Sequence, residues 1–152
     1  MSASKNKVAE CSLVWSNRKR SGRVITSPDE AYRMLRGHWP KDIEVRERFY
    51  VACLTRSNEL IGVSEISSGG VSSCSIDMKL LLGTALKCTA SAIIIAHNHP
   101  SNSLKPSSND ISITQKIDAA CKLLDISLVD HIILTRDSFT SIREENSKIF
   151  KR

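Results

Sequence analysis

Residues 91–100 read Ser-Ala-Ile-Ile-Ile-Ala-His-Asn-His-Pro, "SAIIIAHNHP". Three consecutive isoleucines between alanines leave no polar face. The run therefore predicts a strand that is apolar on both sides and central in its sheet. The same strand ends in His97 and His99, two of the four histidines in the chain. Side chains at i and i+2 of a strand point to one side. Polar rings at the end of a buried strand are costly unless something pairs with them. Two neutral imidazoles presented in one direction form a bidentate grip for zinc.

A catalytic zinc site usually takes three protein ligands and keeps a fourth position open. Downstream, Pro106-Ser107-Ser108-Asn109-Asp110 reads as a helix start, and the loop before it is long enough to fold that start back over the strand end. Asp110 is the candidate third ligand. Ser107, one helical turn earlier, either N-caps the helix or turns its hydroxyl toward a substrate. Each piece also has a plainer reading. Ser-x-x-Asp is a common capping pair, and His-x-His occurs in surface loops. The joint pattern, H-x-H-P followed at fixed spacing by P-S-x-x-D, sets this stretch apart.

Working outward, Ser107 to Leu124 predicts a helix with Ile113, Ile117, Ala120, Cys121 and Leu124 on one face. "SLVDHIILT" and "FTSI" predict a closing hairpin around Arg136-Asp137. Upstream, Asp77 opens the apolar helix "MKLLLGTALKC", and "ERFYVACLT" and "ELIGVSEIS" predict a hairpin turned at Ser57-Asn58. Ser27-Pro28-Asp29-Glu30 is a helix start with a capping box, the helix running to about Gly37. Val8 to Trp15 alternates as a half-buried strand, "SNRKRSG" is loop, "RVIT" is a short strand, and residues 1–7 are expected to be flexible. The order is strand, helix, hairpin, helix, strand, helix, hairpin. It predicts a mixed α/β (α+β) fold, one mixed sheet flanked by helices, in a single domain over 8–152.

The 152 residues are enough for a real core, and 41% hydrophobic with 25% charged is ordinary for a globular chain. The longest apolar runs are far short of the roughly 20 residues a membrane helix needs. The N-terminus has no hydrophobic segment of secretory type. A soluble, cytoplasmic protein without a membrane partner is expected. Five dispersed cysteines without a CxxC pair argue against a disulfide framework and a cysteine zinc knot. Cys53 and Cys121 read as small buried hydrophobes. Of the net charge of +6, +5 falls in residues 1–24, where Lys5, Lys7, Arg18, Lys19, Arg20 and Arg23 face Glu10 alone. The cluster "NRKRSGR" is a candidate nucleic-acid contact or a solvated loop. His131 in "VDHII" reads as a structural histidine beside Asp130, a supporting role behind the metal ligands ranking second, and His38 lies near a helix end.

The spacing His97, His99, seven residues, Ser107, two residues, Asp110 resembles the H-x-H-x7-S-x-x-D signature of the JAMM/MPN metalloprotease superfamily. "ERFYVACLTRSNELIG", "ALKCTASAIIIAHNHPSNSLKPSSNDISIT" and "LLDISLVDHIILT" extend the resemblance to its RadC branch, over roughly residues 25–145. The resemblance implies a JAMM/MPN, cytidine-deaminase-like sandwich holding Zn2+ on His97, His99 and Asp110. It also implies a glutamate just before the strand that carries it into the site, a position matched by Glu47. Glu47 would take a proton from zinc-bound water and return it to the leaving group. Ser107 would donate to the developing oxyanion. Asn102 departs from the branch's H-N-H-P-S-G, and Asn tolerates positive φ better than most residues. The branch's N-terminal helix-hairpin-helix-like segment is not expected within these 152 residues.

Three functions compete on these residues. The first is a zinc-dependent metallopeptidase or isopeptidase acting through Glu47. The second is a DNA-associated RadC-type module in repair, touching nucleic acid through Arg18, Lys19, Arg20 and Arg23. The third, a metal-free scaffold, ranks last because every matched ligand is present. Specificity is expected in residues 68–76 and 100–106, and an edge strand of one hairpin offers a place for a second copy to pair.

Overall fold

The computed structural model describes residues 21–69 and 75–150. In helix α1 (Pro28–His38), Ser27 accepts the Glu30 N–H and Pro28 takes the first turn, where its missing N–H costs nothing. The expected capping box does not close on Ser27. The Glu30 carboxylate reaches one residue further back and accepts from the N–H and hydroxyl of Thr26, at 2.7 Å each. Strands β1 (Arg48–Leu54) and β2 (Leu60–Ser68) form the expected hairpin, with Asn58 in the left-handed region at φ 60°. "RVIT" contributes a single bridge, Val24 to Glu59, rather than a strand. The expected strand at 8–15, the flexible residues 1–7, the basic residues Arg18, Lys19 and Arg20, and residues 70–74 of the 68–76 loop lie outside the described residues.

Asp77 caps α2 (Met78–Lys87) through its side chain, as expected. Then follow β3 (Ala92–Asn98), α3 (Ser108–Leu123), β4 (Ser127–Leu134) and β5 (Phe139–Ser141). "FTSI" does not remain strand to its end. Ser141 accepts the Glu144 N–H, and Ile142–Glu145 turns into a one-turn helix, α4. Ser-x-x-Glu at 141–144 is a capping signature, and it overrides the strand propensity of Ile142.

The five strands form one sheet in the order β2-β1-β3-β4-β5, a mixed sheet flanked by helices. All pairs are antiparallel except β3 with β4, which are parallel and joined across α3. β3 is the middle strand, as its apolar run predicts. Alternation then splits its side chains between two cores. Ala92, Ile94 and Ala96 pack with Ala31, Met34 and Leu35 of α1. Ile93 and Ile95 pack with Leu81 and Ala85 of α2 and with Ile117 and Cys121 of α3. Cys53 is buried in that second core, as expected of a small hydrophobe. Among the described residues, no helix is long and apolar enough to cross a membrane.

The buried face of α3 differs from the expected apolar stripe. It runs Asp110, Thr114, Ile117, Asp118 and Cys121. Leu124 ends the helix as its C-cap, at φ −104° and ψ 9°, and is exposed, because the backbone there has left the helical course that would set it over Ile117. Three of these five residues are polar, and the first turn faces the end of β3.

Because both faces of β3 are covered, Ile94→Ala and Ile95→Ala should each cost about 2–5 kcal/mol by urea denaturation. A change of under about 1 kcal/mol in either variant would mean that one face of the strand is open to water.

Candidate metal centre

The sheet ends its central strand with alternation still intact. His97 and His99 therefore point to one side and Asn98 to the other. On the first side, α3 brings its opening turn over the strand end. His97 Nε2 lies 2.9 Å from His99 Nε2 and 3.1 Å from Asp110 Oδ1, and His99 Nε2 lies 3.4 Å from Asp110 Oδ2. These three residues form one group able to hold a metal ion. Zinc bonds of about 2.0–2.1 Å in a tetrahedron set ligand atoms about 3.3 Å apart. The ring–ring distance and each ring's distance to its own carboxylate oxygen lie near that edge, and all ligand atoms lie within 4.8 Å of one another.

The donor chemistry fits as well. His99 Nδ1 is 2.7 Å from the Ser103 carbonyl, which has no proton to give, so Nδ1 carries the hydrogen and Nε2 of the neutral ring is bare. A bare nitrogen facing a second ring and a carboxylate calls for a cation between them. The electrostatics lean the same way. The Asp110 carboxylate beside it raises the pKa of His99 above its ordinary value, against its burial, with the Ser103 carbonyl and the charge of Glu47 adding, so the site favours positive charge. Burial alone would push the Asp110 carboxyl up. The two imidazoles of His97 and His99 facing it, with the Ser107 N–H, hold it well below the usual carboxylate range instead.

Ser107 serves as the N-cap, in a full capping box. Its N–H donates to Asp110 Oδ2 at 2.7 Å, and its Oγ accepts the Asp110 N–H at 3.1 Å. The cap uses a lone pair of Ser107 Oγ and leaves its proton available for donation. Glu47 precedes β1. Phe49, two residues on, pairs with His97 in the antiparallel β1–β3 ladder, and the Glu47 charge acts on His99. The Glu47 carbonyl accepts the Gly69 N–H at 2.9 Å, and its side chain is half-buried. Arg23, the described member of the basic cluster, is exposed; its carbonyl accepts the Leu60 N–H at the other end of the sheet from His97.

Three further residues frame the site: Asn98 and Thr114, which the sequence does not single out, and His131, which it reads as structural. Asn98 is fully buried on the opposite face. Its Oδ1 accepts the Arg48 N–H at 2.8 Å, and its Nδ2 donates to the carbonyls of Ile43 and Arg46 at 2.6 and 2.9 Å. All three bonds go to the segment that carries Glu47. His131 and Thr114 lie behind His97, both fully buried. His131 was expected to pair with Asp130, but Asp130 accepts only its backbone N–H, at 2.7 Å, along with the Ser141 hydroxyl and the Arg143 N–H. The His131 ring turns inward instead, to 2.7 Å from His97 Nδ1. Asn102 takes φ 61°, the left-handed conformation that glycine would otherwise supply. Its side chain donates to Glu44 Oε1 at 3.0 Å, joining the ligand loop to the turn before Glu47.

Compared with known proteins, residues 25–147 match the family model described as RadC-like JAB domain. A UPF0758 protein of Psychrobacter cryohalolentis is 44% identical over 125 residues, 82% of this chain and 52% of the relative. A UPF0758 protein of Haemophilus ducreyi is 41% identical over 104 residues, 68% of this chain and 47% of the relative. One from Flavobacterium johnsoniae is 35% identical over 126 residues, 81% of this chain and 53% of the relative. The chain thus spans about half the length of the curated relatives it matches.

Asn98→Ala leaves one buried N–H and two carbonyls without their partner. It should destabilise the protein by about 3 kcal/mol and speed amide exchange at Arg48. Urea titration and hydrogen exchange read both effects. A loss under about 1 kcal/mol with Arg48 still protected would show that other contacts hold the Glu47 segment.

Proposed function

The chain belongs to the RadC-like JAB domain family, and from that premise we propose that it is a zinc-dependent metallohydrolase cleaving an amide bond of peptide or isopeptide type. The observation that carries the reading is the convergence of His97 Nε2, His99 Nε2 and the Asp110 carboxylate within the span of one tetrahedral ion. Bound there, zinc supplies a Lewis acid and lowers the pKa of a coordinated water toward about 7.

The chain's own groups supply the rest. Glu47 exerts its charge on His99 from a segment tied down by Asn98 and the Gly69 N–H. Its carboxylate takes a proton from the attacking water and hands it to the leaving nitrogen. The Ser107 hydroxyl, with its lone pair engaged in the cap and its proton available, donates to the oxyanion of the tetrahedral intermediate. Asp110 keeps its carboxylate ionised beside two imidazoles, which suits a ligand and not a general base.

Elemental analysis by mass spectrometry should find about one zinc per chain in the wild type and a loss in His99→Ala. Glu47→Gln should keep that zinc while its cleavage of a peptide library falls by about 10²–10⁴-fold. Normal turnover in Glu47→Gln sinks the proposed base. A wild type that takes up no zinc when zinc is offered sinks the metallohydrolase reading.

A further inference from the structure

His97 has two ring nitrogens, and a ligand needs one of them bare. The chain of contacts behind it decides which. Thr114 Oγ1 lies 2.5 Å from the Asp110 carbonyl oxygen, one helical turn back along α3. A carbonyl carries no proton, so the Thr114 hydroxyl spends its single hydrogen there. Thr114 Oγ1 also lies 2.6 Å from His131 Nδ1. With its hydrogen already placed, the oxygen only accepts, and His131 must carry its proton on Nδ1. A neutral His131 is then bare at Nε2, which stands 2.7 Å from His97 Nδ1. Two N–H groups cannot face each other at that distance, nor can two bare nitrogens form a bond. His97 therefore donates from Nδ1 and is left bare at Nε2, the atom that faces His99 and Asp110.

Packing prevents the rings from escaping this arrangement. Phe49 lies nearly parallel to the His97 ring, 6.2 Å between centroids, and meets the His131 ring edge-on at 5.7 Å. His131 and Thr114 are both wholly excluded from solvent, so water is not at hand to replace a lost partner. The relay also links three elements. It starts on β3 at His97, crosses β4 at His131, enters α3 at Thr114 and ends on the backbone of Asp110, itself a candidate ligand. Free neutral histidine favours the opposite tautomer, with its proton on Nε2. A ligand at position 97 thus needs a device that reverses the preference.

We propose that Thr114 and His131 are positioning residues forming a tautomer lock. Thr114 fixes His131, His131 fixes His97, and the Nε2 lone pair of His97 is thereby aimed at the metal. The proposal rests on the metal-binding reading above for its purpose, but its geometry is tested without metal.

The test compares wild type with Thr114→Val and Thr114→Ser. Valine keeps the shape of threonine and removes the acceptor. His131 then loses the partner for its Nδ1 proton and is free to place the proton on Nε2, which drives His97 into the wrong tautomer. Two-dimensional 1H–15N NMR of the ring nitrogens in the metal-free protein should find His97 protonated on Nδ1 in wild type and in the serine variant. In the valine variant the proton should move to Nε2. Zinc affinity, by competition with a chromophoric chelator, should fall about 10–100-fold in the valine variant and stay within about threefold in the serine variant. A merely structural threonine would change the unfolding midpoint and leave the tautomer and the affinity alone. The lock is overturned if wild-type His97 carries its proton on Nε2. It is equally overturned if a folded Thr114→Val binds zinc as tightly as wild type. Should the valine variant not fold, the wild-type spectrum still decides. Should the wild type bind no zinc, the metallohydrolase reading fails alone, and the same spectrum judges the lock.

Discussion

Two imidazole nitrogens stand 2.9 Å apart, with a carboxylate 3.1 Å from one of them, at the end of the most buried strand of the sheet. Without a cation or a shared proton this arrangement sets lone pairs against each other and leaves polar atoms stranded. Most of what surrounds it is explicable as the scaffolding such a contact demands. β3 is paired on both sides, which fixes the backbone that carries both rings. α3 has to begin there, because its first turn supplies the carboxylate. The loop between them has to bend back, and Asn102 in the left-handed region allows it to.

Alternation along β3 gives the strand end two duties. His97 and His99 face α3, while Asn98 between them faces the segment before β1. Its amide uses one acceptor and both donors on three backbone groups of that segment. A side chain with fewer polar atoms would leave part of the turn unsatisfied. A charged one would be buried next to two carbonyls. The residue types in His-Asn-His are thus each answerable to a different neighbour, and the segment that carries Glu47 is fastened to the strand that carries the ligands.

The sequence made the central strand, the ligand spacing and the helix caps readable, because all of these are local. A period of two places both rings on one side, and Ser-x-x-Asp marks a helix start whatever the fold. Glu47 was legible only through family resemblance, since among "EVRER" nothing local separates it from a surface charge. Thr114 was not legible at all, and His131 only as a structural histidine with a supporting role ranked second. Thr114 falls within a helix whose face was read as an apolar stripe, and His131 sits next to an aspartate that invites a local pairing. What unites them is the docking of α3 on the sheet beside the parallel β3–β4 pair, and no window of neighbouring residues contains that information. Asp130 shows the competing pull: it spends its oxygens on Ser141 and the start of α4, a demand created by the short helix that the strand reading of "FTSI" overlooked.

The two readings of Ser107 and Asp110, helix cap and chemical site, turn out to describe the same bonds. A capping box needs the carboxylate at the third helical position to turn back toward the N-cap, and Asp110 Oδ2 does so by accepting the Ser107 N–H at 2.7 Å. That turn is what presents Oδ1 to His97. The cap is therefore the device that orients the ligand, at a helix N-terminus whose dipole also favours the ionised carboxylate. A glutamate at 110 would serve the same cap but carry its oxygens one methylene further, where the separations from both rings no longer suit a single ion. Aspartate satisfies both requirements, and this double use accounts for its burial at the site.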